Sequence, residues 1–131
     1  MKASFSVSTY LAAPPDVLYA AWLSSEEHSR FTGSPADIDP SIGGAFTAWD
    51  GYISGTTLEK EDAKRIVQSW RTTEFPAGSP DSRIEVLFEP EGAGTIVTIN
   101  HSGIPEGQAE NYESGWKQFY FDPMREYYAA Q

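Results

Sequence analysis

Acid–base chemistry near neutral pH most often runs through histidine, and this chain of 131 residues has two, His28 and His101. His28 lies among Glu26, Glu27 and Arg30 in a stretch that reads as a surface helix, so a solvated side chain is expected. His101 shares strand parity with Val97 and Ile99, which aims it at the interior of a sheet. There it is either a polar group hydrogen-bonded to a neighbour or a contact for a bound molecule. A zinc site needs three or four converging ligands, and two separated histidines without any cysteine do not supply them. The lack of cysteine also removes thiolate nucleophiles and disulfides. No carboxylate pair has a diagnostic spacing on an inner face. Glu85 and Glu89 lie opposite Ile84, Val86 and Phe88 and are expected in solvent. There is no Gly-x-Ser-x-Gly turn, and the glycine-rich segments lack the lysine and the following helix of a phosphate loop.

The remaining constellation is aromatic and apolar. Trp22, Phe46, Trp70, Phe88, Trp116, Phe119 and Tyr120 come from separate segments, joined on the matching strand faces by Ile84, Val86, Val97 and Ile99. Such a set either fills a core or walls a cavity. Ligand pockets are mostly apolar with a few placed polar groups, and Gln68, His101 and Tyr120 are the polar groups positioned for that work. The leading expectation is a non-catalytic binding domain holding a small hydrophobic molecule. Trp70, Trp116, Phe119 and Tyr120 would be its wall, with Gln68 and His101 as polar anchors. An enzyme built on the same cavity would have to act through His101. No cofactor and no metal is implied.

Charge narrows the partners. Nineteen acidic against nine basic residues give a formal net charge of −10, the wrong sign for neutralising phosphates, so nucleic acid is excluded as a partner. An anionic membrane surface is disfavoured for the same reason. The acidity itself keeps a chain soluble. No stretch is long and apolar enough to insert in a membrane. The N-terminal Met1–Ser6 lacks the apolar run of a signal peptide, so a cytoplasmic location is expected. The length fits one domain, residues 1–131.

The elements that must position these residues follow from periodicity. Ala3 to Leu11 alternates, with Phe5, Val7, Thr9 and Leu11 on one face, and predicts a half-buried strand. Pro14-Pro15-Asp16 then opens a helix with Val17, Leu18, Ala21 and Trp22 as its apolar stripe. Ser24 and Glu27 have capping-box spacing and start a second short helix to about Phe31. Thr32 to Gly44 is loop-rich. Strands follow at Ala45–Trp49, Tyr52–Glu59, Lys64–Thr73, Arg83–Glu89 and Thr95–Ser102. Asp50-Gly51 makes a hairpin turn, and Gly55 suggests a bulge. From Glu110 the period becomes helical, with Tyr112, Trp116, Phe119, Pro123 and Tyr127 on one face, Tyr120 and Met124 flanking it, and Phe121 opposite. Pro123 predicts a kink or break near Asp122. Strands joined by tight turns are antiparallel, and only the C-terminal helix is long enough to cover their apolar face, so the class is α+β.

Several stretches, in order, carry a family resemblance. They are Ala13-Pro14 leading into Val17, Ala21 and Trp22; Phe31-Thr32-Gly33; Gly43-Gly44-Ala45-Phe46; Asp50-Gly51-Tyr52-Ile53-Ser54-Gly55; and Arg65 to Arg71. Gly94-Thr95, His101 to Pro105, Gly115-Trp116 and Tyr120 to Met124 complete the set. Together they resemble the family of homologues of the activator of the heat-shock-protein-90 ATPase, in its C-terminal-domain form, within the START-like (birch-pollen-allergen-like, or SRPBCC) superfamily. The resemblance implies a helix-grip fold: a curved antiparallel sheet wrapped around a long C-terminal helix, with two short helices after the first strand and a cavity between sheet and helix. Members of the superfamily bind lipids, sterols or polyketides, and some are enzymes. Within the family, eukaryotic co-chaperones stimulate the chaperone ATPase and carry an additional N-terminal domain that makes a principal chaperone contact. The resemblance therefore implies a second candidate partner, a chaperone or other protein, and a role in the stress response.

Overall fold

In the computed structural model, β1 (Ala3–Leu11) carries the expected alternation, with Val7 and Leu11 fully inside and Ser4, Ser6 and Ser8 in solvent. The structure describes residues 3–129. Met1 and Lys2, part of the segment read above for a signal peptide, lie outside the described residues, as do Ala130 and Gln131. Pro14 ends the strand, and α1 (Pro15–Trp22) begins with proline at its first position, where no amide donor is needed. Leu18, Ala21 and Trp22 face inward, whereas Val17, expected on that stripe, is exposed. Its position in the first turn puts it at the edge of the covered face. Ser24 caps α2 (Ser25–Thr32) by accepting the Glu27 amide, and Gly33 closes it in the left-handed region.

A two-residue strand, β2 (Asp37–Ile38), interrupts the expected loop and is pinned by Ser25, whose hydroxyl accepts the Ile38 amide at 2.7 Å. β3 (Ala45–Ala48), β4 (Ile53–Glu61), β5 (Arg65–Thr72), β6 (Ser82–Glu91) and β7 (Gly94–Ile104) follow as hairpins. All pairings are antiparallel, in the order β1-β7-β6-β5-β4-β3-β2. The bulge in β4 falls between Thr57 and Glu59 rather than at Gly55. Gly55 instead allows a close approach, since a Cβ there would lie 1.9 Å from the Ser69 carbonyl oxygen and 2.8 Å from the Phe46 ring. Glu85 is half-buried rather than free in solvent, because Arg65 at 2.6 Å and Asn100 at 3.0 Å both reach it on the outer face.

The C-terminal helix covers the inner face in three parts: α3 (Ala109–Gly115), a π-helical turn (Trp116–Phe121) and α4 (Asp122–Ala129). The backbone stays helical across both junctions. Pro123 thus causes no break. The Asp122 amide reaches back five residues to the Lys117 carbonyl, and Pro123 falls in the first turn of α4. The wider turn changes the helix phase. Tyr112, Trp116, Tyr120, Phe121, Met124 and Tyr128 are buried, so Phe121 is inside and Phe119, expected at the centre of the stripe, is 51% exposed. Pro123 and Tyr127 are only half-buried. A continuous core runs from Leu18, Trp22 and Phe31 through Ile66, Ile84, Val86, Phe88, Val97 and Ile99 to the helix.

Candidate functional site

His28 is not solvated but buried, at 3% exposure. On α2, Glu26 and Glu27 turn to solvent and pair with Arg30, while His28, Phe31 and Thr32 turn inward. The i, i+3, i+4 spacing of those three was the available signal. His28 Nδ1 lies 2.9 Å from the Trp22 carbonyl oxygen, which only accepts, so Nδ1 carries the proton. Nε2 is then an acceptor, and the Tyr120 hydroxyl donates to it at 2.9 Å. Trp22 Nε1 donates to Gln68 Oε1 at 3.1 Å, and the Gln68 amide donates to Thr57 at 3.2 Å. One polar chain thus ties α1, α2 and the helix to β4 and β5. Burial lowers the His28 pKa to about 4, against a smaller opposing effect of the Trp22 carbonyl.

His101 is 1% exposed and locked in the opposite tautomer. Trp116 Nε1 can only donate, so His101 Nδ1 accepts at 3.1 Å. Nε2–H then donates to Ser82 Oγ at 2.8 Å, and the Ser82 hydroxyl donates to the Trp70 carbonyl oxygen at 2.6 Å. Burial pushes the His101 pKa down to about 3. With both ring nitrogens engaged, His101 is a strut between sheet and helix.

Beside this filled interior lies a cleft of about 550 Å³, open to solvent, where the β3–β4 hairpin parts from the helix. The hairpin contributes Trp49, Tyr52 and Ile53, β5 contributes Trp70, and Glu74 stands in the loop after β5. α3 supplies Asn111, Tyr112, Ser114 and Gly115, and the π turn supplies Trp116, Gln118, Phe119 and Tyr120. Two local irregularities shape it. Trp49, Asp50 and Gly51 all have positive φ (52°, 57° and 88°), a conformation a bulky residue adopts only when its surroundings hold it. It brings the Trp49 ring edge-to-face with Phe119 at 5.7 Å. The π turn, in its place, leaves Phe119 at the rim instead of in the core; such turns frequently occur at functional sites. The Trp49 indole nitrogen is buried without a hydrogen bond of normal geometry, although it sits near enough to the Tyr120 hydroxyl to oppose slightly the upward push of burial on that phenol. Tyr52 donates to Glu74, and burial with that bond raises the Tyr52 pKa to about 12.

Of the residues singled out from sequence, Trp70, Trp116, Phe119 and Tyr120 come together on the cleft. Trp22, Phe46, Gln68, Ile84, Val86, Phe88, Val97, Ile99 and His101 are buried away from it, in the filled part of the interior. Gln68 spends its amide on Trp22 and Thr57. Trp49, Tyr52, Glu74 and Tyr112 were not singled out. Trp49 and Tyr52 flank the Asp50-Gly51 turn, which was the only local signal, and Tyr112 already stood on the helical stripe. Among the described residues no His, Cys, Asp and Glu group of three or more could hold a metal ion, and no helix is long and apolar enough to cross a membrane.

A curved antiparallel sheet gripping a long C-terminal helix, with two short helices between β1 and β2, defines the helix-grip class. Residues 12–129 match the family described as "Activator of Hsp90 ATPase homolog 1-like protein", and the chain belongs to that family. The human activator of 90 kDa heat shock protein ATPase homolog 1 is 30% identical over 118 residues, 90% of this chain and 34% of that protein. The mouse homolog 2 is 28% identical, over 82% of this chain and 32% of its own length. The chain therefore spans about a third of these relatives. The crystal structure of an HSP90 activator from Plasmodium falciparum superposes with a TM-score of 0.83 at 26% identity, covering 91% of each chain. CalU16 from Micromonospora echinospora gives 0.76 at 27% identity, over 92% of this chain and 72% of that one.

Proposed function

We propose that this chain is a non-catalytic binding domain, acting as one unit over residues 1–131, that takes a small hydrophobic molecule into the cleft between hairpin and helix. The observation that carries the reading is the aromatic lining: Trp49, Tyr52, Trp70, Tyr112, Trp116, Phe119 and Tyr120 around about 550 Å³, a volume within the usual range for small-molecule sites. The positive-φ backbone that turns Trp49 to the cleft and the half-exposed Phe119 support it. A catalytic reading through His101 would need a ring nitrogen free to exchange protons, and both are engaged. Trp49, Trp70 and Trp116 line the cleft, so their fluorescence reports occupancy. Titration with a panel of neutral, cationic and anionic apolar compounds (sterols, alkylammoniums, fatty acids and small aromatics) is expected to find saturable binders among them, and Phe119→Ala to weaken those severalfold. A panel in which nothing saturates removes the reading.

A second reading, contact with a chaperone ATPase, is favoured by the match over 91% of an HSP90 activator that this chain nearly equals in length. Purified 90 kDa chaperone would then show raised ATP turnover on adding the protein. Unchanged turnover together with no complex on size-exclusion chromatography would remove it.

A further inference from the structure

The cleft has a charge character as well as an apolar one. Its lining contains one ionisable acid, Glu74, and no lysine, arginine or histidine. Arg71, next to Trp70 in β5, turns away to Asp81 at 2.8 Å and to the Phe75 ring. Lys117, inside the π turn, does not line the cleft. The remaining polar groups, Asn111, Ser114 and Gln118, are neutral. The same lining holds this single carboxylate, which accepts from the Tyr52 hydroxyl, and three tryptophans, rings whose faces carry negative quadrupole density and attract cations. The chain as a whole carries a formal charge of −10, which adds an attractive field for a cation and a repulsive one for an anion.

Resting on the reading of the cleft as a ligand site, we propose that its ligand is a small organic cation with an apolar body, such as an alkylated ammonium. The apolar body lies against Trp70, Trp116 and Phe119, and the cationic end sits over an aromatic face beside Glu74. A fatty acid or other anion is the wrong partner, because it would bring a second negative charge to Glu74 with no cation to meet it.

The test uses three probes with one phenylbutyl body: the trimethylammonium salt, the alcohol and the carboxylate, each titrated against tryptophan fluorescence. The ammonium is expected to bind about tenfold more tightly than the alcohol, and the carboxylate more weakly than either. Glu74→Gln is expected to pull the ammonium-to-alcohol affinity ratio towards unity, as is added salt. Equal or tighter binding of the alcohol or carboxylate overturns the cation assignment while leaving the cleft as a binding site. A ratio unchanged in Glu74→Gln overturns the role of that carboxylate. Binding by none of the three overturns the ligand-site reading itself, and this inference with it.

Discussion

His28 and His101 are held neutral by burial and by opposite hydrogen-bond patterns, Nδ1–H in the first and Nε2–H in the second. Nitrogen-15 NMR should find these two tautomers at neutral pH, and either ring in the other form would contradict the assignment. Neutrality also makes stability depend on pH. Both pKa values are lowered on folding, from about 6.5 to about 4 and about 3, so the unfolded chain binds more protons between those limits. Their contribution is complete above about pH 6.5 and is lost as pH falls towards 4 and then 3, at up to about 1.4 kcal/mol per pH unit for each histidine. Urea titrations at pH 7.5, 6 and 5 should show a falling midpoint, and a flat profile would mean the rings are not desolvated. Tyr120→Phe removes the donor to His28 Nε2 and leaves a buried acceptor unmet, so a loss of about 1–3 kcal/mol is expected in the same assay.

At the scale of elements, Gly55 lets β4 lie tight against Ser69 of β5 and the Phe46 ring of β3, and Gly55→Ala forces a methyl onto the Ser69 carbonyl. A loss of about 3 kcal/mol is expected, read as a lower thermal midpoint. A variant as stable as the parent would mean the strands can part at no cost. The longer strands were legible in the sequence where one face is wet and one dry, as in Ile84, Val86 and Phe88 against Arg83 and Glu89, whereas the two-residue β2 is too short to show a period and was read as loop. The bulge after Thr57 was not, because a bulge is a change in hydrogen-bond register that leaves side-chain polarity unaltered. The π turn hid in the same way: hydropathy assumes a constant angle per residue, and one wide turn exchanged Phe119 for Phe121 in the core. The cleft was half legible. Trp70, Trp116, Phe119 and Tyr120 could be found from strand parity and the helical region. Trp49 owes its place to three successive left-handed residues, which no period describes.

At the scale of the molecule, nineteen carboxylates against nine cations make the folded state repel itself. Moderate salt should therefore raise the thermal midpoint by a few degrees between about 10 and 150 mM, as the screening length shrinks to about 8 Å. A midpoint that falls would mean that the ion pairs around Arg65 outweigh the repulsion. The order of strands has a separate consequence for how the protein is made. β1 pairs with β7, so Leu11 must find Thr95 and Phe5 must find His101, neighbours in the sheet but far apart along the chain. Within this sheet, the partner of β1 is the last strand to be synthesised. At about 5–20 residues per second, β1 waits on the order of ten seconds with its backbone unpaired. Its outward residues Ser4, Ser6 and Ser8 leave alternate positions polar during that wait. Closure of the sheet is thus a late event in its synthesis, and β1 meanwhile offers an unpaired edge to a chaperone or a neighbouring chain.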